Sequence, residues 1–575
     1  MLHISGSRAL CVNLTMLVLL TNGCSPGAAL SPPGHAHTPE TAGAAPSASA
    51  RFVIAVPART AAAGKRAPAY ISPATQSITI AVSGPTPVSQ TANLTPTSTG
   101  CQSTLATTEC TLTLALSPGS YSASLTTFDG LNGTGTALSA DQSVAFTVAS
   151  GQANTIALTL NGIPAQLLVS SLSSAAHQTA TTNFKLAGVF PARLQATALD
   201  ADGNIIVGPG SPTLSVSQTS GSTYTIVNPS TTTPNTFTLM PPVGNGASAT
   251  FTLTAAYSDA TCSQPGAVCT TTFITTAHQQ TMIVDNDGPI GVYAWPYTGS
   301  PAPLIGYNGS AGLPGIAAFD PSGNLFIGDN AGGDVKEYAP PYTGAPVATL
   351  GDGVLEDVIP VFMAPNGTLL VGGFNNNALY AYAPPYTGSP TTITNGIDGP
   401  AMLAADASGN LYVANFNGAN VTEYAPPYTG TSTALGTVSM ALRVAATSNG
   451  DVFAASPAAN SIDLFVPPFP GATTTITAGV SSASAIAIGP DGTTLFVGQS
   501  GTMQIDLYVP PYTAVASSTS GTSASSPTSL AFDAANDLFS ADEGNDTVTI
   551  YPPPYTSTPL TISGVSQPSG VYLSP

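Results

Sequence analysis

A turn of proline and aromatic residues recurs through the second half of this 575-residue chain and is the feature that most constrains its fold. One copy is Tyr338-Ala339-Pro340-Pro341-Tyr342-Thr343-Gly344, and successive copies follow at intervals of 41 to 45 residues. The anchoring aromatic residues are Tyr297, Tyr342, Tyr386, Tyr428, Phe469, Tyr512 and Tyr555. Four short strands and their turns fill a repeat of this length, whereas the Pro-Pro pair in six copies would break a helical repeat.

The two ends of the repeat region predict a closed ring. Met282 to Asn286 read as the second strand of the first copy, and no inner strand precedes them. Pro568 to Pro575 align with Pro314 to Pro321, which hold the inner strand of the next copy. We therefore predict that the C-terminal strand completes the first blade. This closes a seven-bladed β-propeller over residues 279–575 and removes an exposed sheet edge.

A polar motif follows the predicted inner strands. Asp320-Pro321-Ser322-Gly323-Asn324-Leu325-Phe326 recurs as Asp406-Ala407-Ser408-Gly409-Asn410-Leu411-Tyr412. In register with the Pro–aromatic repeat, this motif resembles the NHL family of β-propellers. The resemblance implies a propeller fold and leaves the function open.

Two segments before the repeats show the period-two alternation of short antiparallel strands. They are residues 73–162 and 163–278, and each predicts a small β-sandwich, so the expected fold class is all-β throughout. The turn from Leu116 to Tyr121 resembles prealbumin-like repeats of bacterial surface proteins. The stretch from Leu194 to Asn204 resembles bacterial Ig-like domains. We expect both modules to act as spacers.

The N-terminus predicts export. Within residues 1–24, Arg8 supplies a positive charge and Ala9 to Leu20 an apolar stretch that is too short for a permanent membrane span. Leu20-Thr21-Asn22-Gly23-Cys24 resembles the lipobox of bacterial lipoproteins, although Thr21 stands where that family has a branched apolar residue. The resemblance implies a lipid on Cys24, with an ordinary secreted or periplasmic protein as the alternative. Residues 25–72 are rich in Pro, Ala and Ser and predict a flexible linker.

The cysteines agree with export. Cys101 and Cys110 form one close pair, Cys262 and Cys269 another, and each pair predicts a local disulfide that needs an oxidising compartment. Metal binding is the alternative, but separations of 9 and 7 residues do not match a Cys-x-x-Cys knuckle.

Charge is scarce and one-sided. The chain has 9 basic and 28 acidic residues, for a net charge of −19 with His neutral. Residues 281–575 contain 21 of those acids and only Lys336 and Arg443 as bases, so the whole net charge lies in the predicted propeller. Nucleic acid is excluded as a partner, because phosphate binding needs clustered bases. Cations or polyhydroxylated partners are favoured instead.

Acidic and amide side chains recur between the second and third strands of the blades, at one mouth of the predicted channel. The candidate rim residues are Asp285, Asp329, Asn330, Asn376, Asn415, Asn417, Asn460, Asp542 and Asp546. Their oxygens suit Ca²⁺ or sugar hydroxyls. The alternative is that Asp and Asn simply form tight turns there.

The residue inventory narrows the chemistry. None of the five His or six Cys lies in residues 279–575, so a histidine-dependent mechanism such as that of the streptogramin lyase family is excluded there. The gluconolactonase family uses Glu, Asn and Asp around a divalent ion, so a Ca²⁺-dependent lactonase-like hydrolase is the alternative function. Our main expectation is a non-enzymatic recognition or structural lipoprotein of the cell envelope. It would present an acidic propeller to a protein or carbohydrate partner, and would meet the membrane only through its lipid.

Overall fold

The computed structural model describes residues 48–58, 71–230, 232–286, 289–307, 316–329, 332–351, 355–429, 431–471, 473–519 and 525–575. Cys24 and Asn330 lie outside these ranges. The regular structure of the described residues is almost entirely β-strand, mostly in antiparallel pairs, which confirms the all-β prediction. The four short 3-10 turns in these ranges are Leu131–Gly133, Ala260–Ser263, Pro457–Ala459 and Glu543–Asn545. No helix among these residues has the length and apolar character needed to cross a membrane.

The first two-sheet unit spans residues 48–162. Its strands are β1 (Ala48–Pro57), β2 (Ser77–Ser83), β3 (Val88–Asn93), β4 (Cys101–Ser103), β5 (Thr107–Leu116), β6 (Gly119–Phe128), β7 (Ala137–Val148), β8 (Ala153–Ile156) and β9 (Asn161–Gly162). One sheet has the order β4-β5-β1-β8 and the other β3-β2-β6-β7-β9. Phe52, Ile78, Ile80 and Leu112 belong to the single apolar core that the unit buries.

Strand β1 corrects one sequence prediction. Residues 48–57 fall in the segment predicted as a linker, yet β1 pairs with β5 along its full length and with β8 on its other edge. Ala50, Phe52 and Ile54 are buried in the core, whereas Arg51 is exposed. The run from Phe52 to Val56 is apolar on both faces, so it lacks the polar–apolar alternation that would have marked it as a strand.

The second two-sheet unit spans residues 163–278. Its strands are β10 (Gln166–Ser171), β11 (Ala176–Ala180), β12 (Asn183–Ala187), β13 (Ala192–Leu199), β14 (Thr213–Gly221), β15 (Thr225–Val227), β16 (Thr236–Met240), β17 (Ser248–Ala256) and β18 (Thr270–His278). The sheet orders are β10-β13-β16-β15 and β11-β12-β18-β17-β14. Phe184, Phe237, Phe251 and Phe273 pack together in its core.

Both predicted disulfides are present. Cys101–Cys110 joins β4 to β5, in which the two cysteines are directly opposite each other. Cys262–Cys269 closes the loop that leads into β18. Each bond therefore ties down a local hairpin or loop.

Seven four-stranded antiparallel sheets make up the described part of residues 282–573, which we call the sheet ring. The first sheet has β19 (Met282–Asp285), β20 (Gly291–Tyr293) and β21 (Ala302–Pro303), and the second has β22 (Ala317–Phe319), β23 (Leu325–Asp329), β24 (Asp334–Tyr338) and β25 (Ala348–Leu350). The third has β26 (Val358–Met363), β27 (Leu369–Gly373), β28 (Ala378–Tyr382) and β29 (Thr391–Ile393), and the fourth β30 (Pro400–Ala405), β31 (Leu411–Asn415), β32 (Asn420–Tyr424) and β33 (Thr433–Thr437). The fifth has β34 (Arg443–Ala446), β35 (Val452–Ser456), β36 (Ser461–Phe465) and β37 (Thr473–Ile476), and the sixth β38 (Ala483–Ile488), β39 (Leu495–Gln499), β40 (Gln504–Tyr508) and β41 (Ser517–Ser518). The seventh has β42 (Pro527–Phe532), β43 (Leu538–Asp542), β44 (Thr547–Tyr551) and β45 (Leu560–Ser563), and β46 (Gly570–Leu573) follows it.

The last strand completes the first sheet. Strand β46 pairs antiparallel with β19, so that Val571 is opposite Val284. The first sheet packs on the seventh through a cluster that includes Val284 and Val548, and on the second through one that includes Ile283 and Leu325. Each sheet therefore has a neighbour on both faces, which is the propeller type of all-β fold.

The Asp-x-Ser-Gly-Asn motif builds the turn between the first two strands of its sheet. Asp320 Oδ1 accepts hydrogen bonds from the backbone N–H groups of Ser322 at 2.9 Å and Asn324 at 2.7 Å. Asp406 Oδ1 accepts from Ser408 and Asn410 at 2.9 Å each. These are Asx turns, and they explain why the motif recurs in register with the strands.

The second two-sheet unit packs directly on the sheet ring. Trp295 Nε1 donates to the carbonyl of Gly188 at 3.1 Å, and His177 Nε2 lies 2.5 Å from the carbonyl oxygen of Ala534. Gly188 has φ +80, and a Cβ there would lie 2.4 Å from Ala535 Cβ. Glycine is therefore required at this contact for both conformation and space.

Candidate functional site

The predicted rim residues occupy two kinds of position at one mouth of the sheet ring. Asp285, Asp329, Asn415 and Asp542 each end the second strand of a sheet and are buried, with no more than 2% of their surface exposed. The others with described positions lie in or beside the turn that follows. These are Asn376, Asn417, Asn460 and Asp546.

The buried group holds the loops that lead into the inner strands. Asn415 Oδ1 accepts from the N–H of Asp398 at 3.1 Å, and its Nδ2 donates to the carbonyl of Gly396 at 3.1 Å. Asp285 Oδ2 accepts from Ser569 Oγ at 2.7 Å in the loop before β46. These buried rim side chains therefore have hydrogen-bond partners within the protein, backbone groups for Asn415 and a side-chain hydroxyl for Asp285.

Two further residues share this role and were missed from the sequence. Ser456 Oγ donates to the carbonyl of Ser439 at 2.5 Å, and Gln499 Nε2 donates to the carbonyl of Gly479 at 2.7 Å. They are neither Asp nor Asn, so a search for acidic and amide turn residues passed over them. The repeat register, which places both at the end of a second strand, is the signal that identifies them.

The turn group joins neighbouring sheets. Asn460 and Asp546 have left-handed backbones, with φ +49 and +54. Asn460 Oδ1 accepts from the N–H of Ser482 at 2.6 Å, and Asp546 Oδ1 accepts from that of Gln567 at 2.8 Å, just before the next inner strand in each case. Asn and Asp tolerate this conformation better than other non-glycine residues, which favours the turn-forming interpretation of these positions.

Asn376 and Asn417 complete the described rim. Asn376 Oδ1 accepts from the N–H of Glu356 at 2.7 Å, and Asn417 is exposed beside Gly399. Over the ranges that the structure describes, no three His, Cys, Asp or Glu side chains lie close enough to hold a metal ion together.

Asp542 is the rim residue with the most unusual electrostatic environment. It is completely buried, and it accepts hydrogen bonds from Ser540 Oγ at 2.6 Å and from Thr549 Oγ1. Burial raises the pKa of Asp542 to about 7, and the two hydroxyl donors only partly offset this effect.

The Pro–aromatic turns are packing elements. The hydroxyl of Tyr342 donates to the carbonyl of Gly323 at 2.6 Å, and that of Tyr428 to the carbonyl of Gly409 at 3.0 Å. The rings lie against the neighbouring sheet, as in Phe326–Tyr386 with centroids 4.9 Å apart. Most of these tyrosines are buried, so they do not form an exposed platform for a carbohydrate.

An axial channel runs between the inner strands. Its cavity has a volume of about 330 Å³ and is lined by residues from all seven sheets. Most of the lining residues have apolar side chains, among them Phe319, Phe362, Met402, Leu530 and Phe532, but polar groups form nearly half of the cavity surface.

Arg443 is the charged residue in this lining. Only 7% of it is exposed; its Nε donates to the carbonyl of Ser484 at 2.8 Å and its Nη1 to the carbonyl of Leu442 at 3.2 Å. Within the described ranges Arg443 forms no ion pair. Burial lowers the pKa of Arg443 to about 10, so the guanidinium is still charged at neutral pH. In the sequence, Arg443 was considered only as part of the net charge. Its position at the start of a predicted inner strand was the feature that could have indicated a place beside the channel.

A second cleft, of about 980 Å³, lies between the second two-sheet unit and the sheet ring. Phe190, Arg193, Asp491 and Tyr555 are among its lining residues. Asp533 and Asp537 lie near it, in a turn where Asp533 Oδ1 accepts from the N–H groups of Ala535 and Asp537 at 2.8 Å each. Burial raises the pKa of both carboxyls, and for Asp537 the charge of Asp533 acts in the same direction.

No protein-family model matches the sequence, and the comparison with curated proteins likewise finds no match. Among solved structures, a catalytically inactive virginiamycin B lyase from Staphylococcus aureus with quinupristin has 12% identity and a TM-score of 0.37, covering 45% of this chain and 90% of that one. A streptogramin B lyase has 11% identity and a TM-score of 0.38, covering 52% and 95%. A functionally unknown protein from Desulfotomaculum acetoxidans has 13% identity and a TM-score of 0.41, covering 52% and 99%. Likenesses of this size concern the fold alone.

Proposed function

We propose that the seven sheets are the blades of one seven-bladed β-propeller of NHL type, carried on two β-sandwich spacers. The pairing of β46 with β19 supports this arrangement, because it gives the first sheet its fourth strand. The two-sheet units, each with one core, support the spacer assignment, the first prealbumin-like and the second Ig-like.

The function that this geometry supports best is non-enzymatic recognition, in which the acidic propeller is presented to a protein or carbohydrate partner. One observation carries the proposal: rim carboxylates and amides such as Asn415, Asn460 and Asp546 bind backbone groups and so hold loops and neighbouring sheets. A Ca²⁺ site needs six to eight oxygens that converge on one point, and side chains committed to backbone groups do not offer this. The cleft of about 980 Å³ beside the second unit is a surface on which a partner could lie.

The placement of the protein is part of the same proposal. A lipid on Cys24 would hold the chain at the cell envelope, and residues 25–47 would then separate the lipid from β1. The two disulfides agree with a location in an oxidising compartment.

The alternative function, a Ca²⁺-dependent lactonase-like hydrolase at the channel mouth, makes the opposite prediction about metal. We would measure the melting temperature and metal content of the full-length protein after dialysis against EDTA, with and without added Ca²⁺. The proposal expects no Ca²⁺-dependent change and no hydrolysis of simple lactones. A clear rise in melting temperature with Ca²⁺, together with lactone turnover, would overturn it.

The lipid is tested separately. Palmitate labelling of cells that express the full chain should be lost in Cys24→Ser and retained in Cys11→Ser, which is a matched control within the same N-terminal segment. Equal labelling of the two variants would contradict a lipid on Cys24. The remaining hypothesis would then be a secreted or periplasmic recognition protein without a lipid anchor.

A further inference from the structure

Arg443 is a buried cation without a counter-charge. The sheet ring has one other base, Lys336, whose Nζ lies 3.0 Å from Asp334 Oδ1 and 3.6 Å from Asp329 Oδ2. Arg443 has no such partner among the described residues, although the region around it carries a net charge of −19. No acid is among the described residues that line the channel, so Arg443 is the charged group of this lining, which it shares with uncharged polar residues such as Ser529 and Tyr572.

The fold itself does not call for a base at this position. Arg443 is opposite Ala455, on the neighbouring second strand. The register-equivalent residues of the other six sheets are Ile316, Pro360, Met402, Ala485, Ser529 and Gly570. None is charged, so six sheets of the same architecture are built without a cation there.

Burial of an unpaired guanidinium is unfavourable, because the lost hydration is not replaced. Two protein carbonyls bind two of the five N–H donors of Arg443, which leaves three for another group. A planar guanidinium with adjacent free donors matches the two oxygens of a carboxylate. The desolvated position strengthens such a contact.

We propose that the axial channel binds a small organic carboxylate, with its carboxylate on Arg443 and its apolar part against Phe319, Phe362, Met402, Leu530 and Phe532. A volume of about 330 Å³ suits a small molecule rather than a polymer, and the apolar side chains of most lining residues offer contacts to a hydrocarbon or aromatic body beside the polar groups of the channel. The acidic surroundings disfavour multiply charged anions such as phosphate monoesters, whereas one negative charge is neutralised by Arg443. This ligand class deepens the proposed recognition function and rests on it.

The test uses the full-length protein and four probes: benzoate, hexanoate, the neutral isostere benzamide, and phenyl phosphate. Isothermal titration calorimetry should show saturable one-to-one binding of benzoate and hexanoate, and benzamide and phenyl phosphate should bind at least about tenfold more weakly. Arg443→Met should lose at least about tenfold in benzoate affinity, and Arg443→Lys should lose less. Lys336→Met removes the other positive charge of the ring and is the matched control, which should bind benzoate like the wild type.

Three results would overturn the inference: no saturable benzoate binding to the wild type, equal binding by folded Arg443→Met, or equal or tighter binding of benzamide or phenyl phosphate. If circular dichroism shows that Arg443→Met does not fold, the inference is tested by two other measurements. These are the benzoate affinity of Arg443→Lys and the difference between benzoate and benzamide binding to the wild type. Lactone or ester hydrolysis by the wild type would overturn the proposed non-enzymatic function whatever benzoate does. Absence of benzoate binding without hydrolysis would overturn only the channel ligand and would leave recognition at the cleft.

Discussion

The mouth of the sheet ring and its axial channel use polar side chains in opposite ways. The mouth is rich in Asp and Asn, and most of these side chains bind backbone groups of loops or of the next sheet. The channel is lined mainly by apolar residues, and its one charged side chain, Arg443, keeps unused donors. A dense cluster of polar side chains therefore does not by itself mark a binding site. The number of polar groups matters less than whether their hydrogen-bonding atoms are free to bind a ligand.

The largest expected effect concerns Asp542 and would sharpen the view that the mouth is structural. The pKa of Asp542 is about 7 in the folded protein and about 3.9 in the unfolded chain. Between these two pH values the carboxyl is protonated in the folded state and ionised in the unfolded state. The unfolding free energy should therefore fall as the pH rises through this window, by up to about 4 kcal/mol. In Asp542→Asn this part of the slope should vanish, as measured by urea unfolding across the pH range. A variant with the same pH profile as the wild type would contradict the assignment.

Asn415 gives the next largest effect. Asn415→Ala removes bonds to the Asp398 N–H, the Gly396 carbonyl and Thr422 Oγ1 from a fully buried place. The loss should be about 3 kcal/mol, because several polar groups are left without partners. Thermal and urea unfolding would measure it. Asn417→Ala, two residues along in an exposed position, is the control and should change stability by less than about 0.5 kcal/mol. Equal effects of the two variants would break the comparison.

Tyr428 tests the opposite face of the ring. Tyr428→Phe removes the hydroxyl that donates to Gly409 O and should cost about 1–2 kcal/mol in unfolding free energy. Tyr380→Phe is the matched control, because the Tyr380 hydroxyl has no hydrogen-bond partner within the residues that the structure describes. If the control were as destabilised as Tyr428→Phe, the hydroxyl would not hold the turn.

Arg443 should show the smallest change in stability, although only 7% of it is exposed. Replacement of an unpaired buried cation by an apolar side chain of similar length removes a desolvation cost and forgoes two hydrogen bonds. Arg443→Met should therefore unfold within about 1 kcal/mol of the wild type in urea titration. A loss comparable to that of Asn415→Ala would make Arg443 a structural residue and would erase the contrast between mouth and channel.

Repetition explains how much could be predicted from the sequence. The spacing of residues along the chain predicts three features. These are the aromatic residue equivalent to Tyr342 in each repeat, the pairing of the C-terminal strand with β19, and the two disulfides. The role of Asn415 could not be read in the same way, because its partners Gly396 and Asp398 are fixed only when the loop folds back on the sheet. The role of Arg443 could not be predicted for another reason. In the sequence it is one base in an acidic region and contributes only to the net charge, whereas its position on the inner strand, next to the cavity, is known only from the structure.

The pairing of β46 with β19 has a consequence for how the protein matures. Val571 meets Val284 across a sequence interval that contains all of the other sheets, so the first sheet of the ring is also the last to be finished. During synthesis, β19 keeps an open edge until residues 570–573 have been made. A chain that ends before Gly570 would keep the edge of β19 exposed. Because an exposed strand edge can pair with other chains, such a chain should be prone to aggregation or degradation.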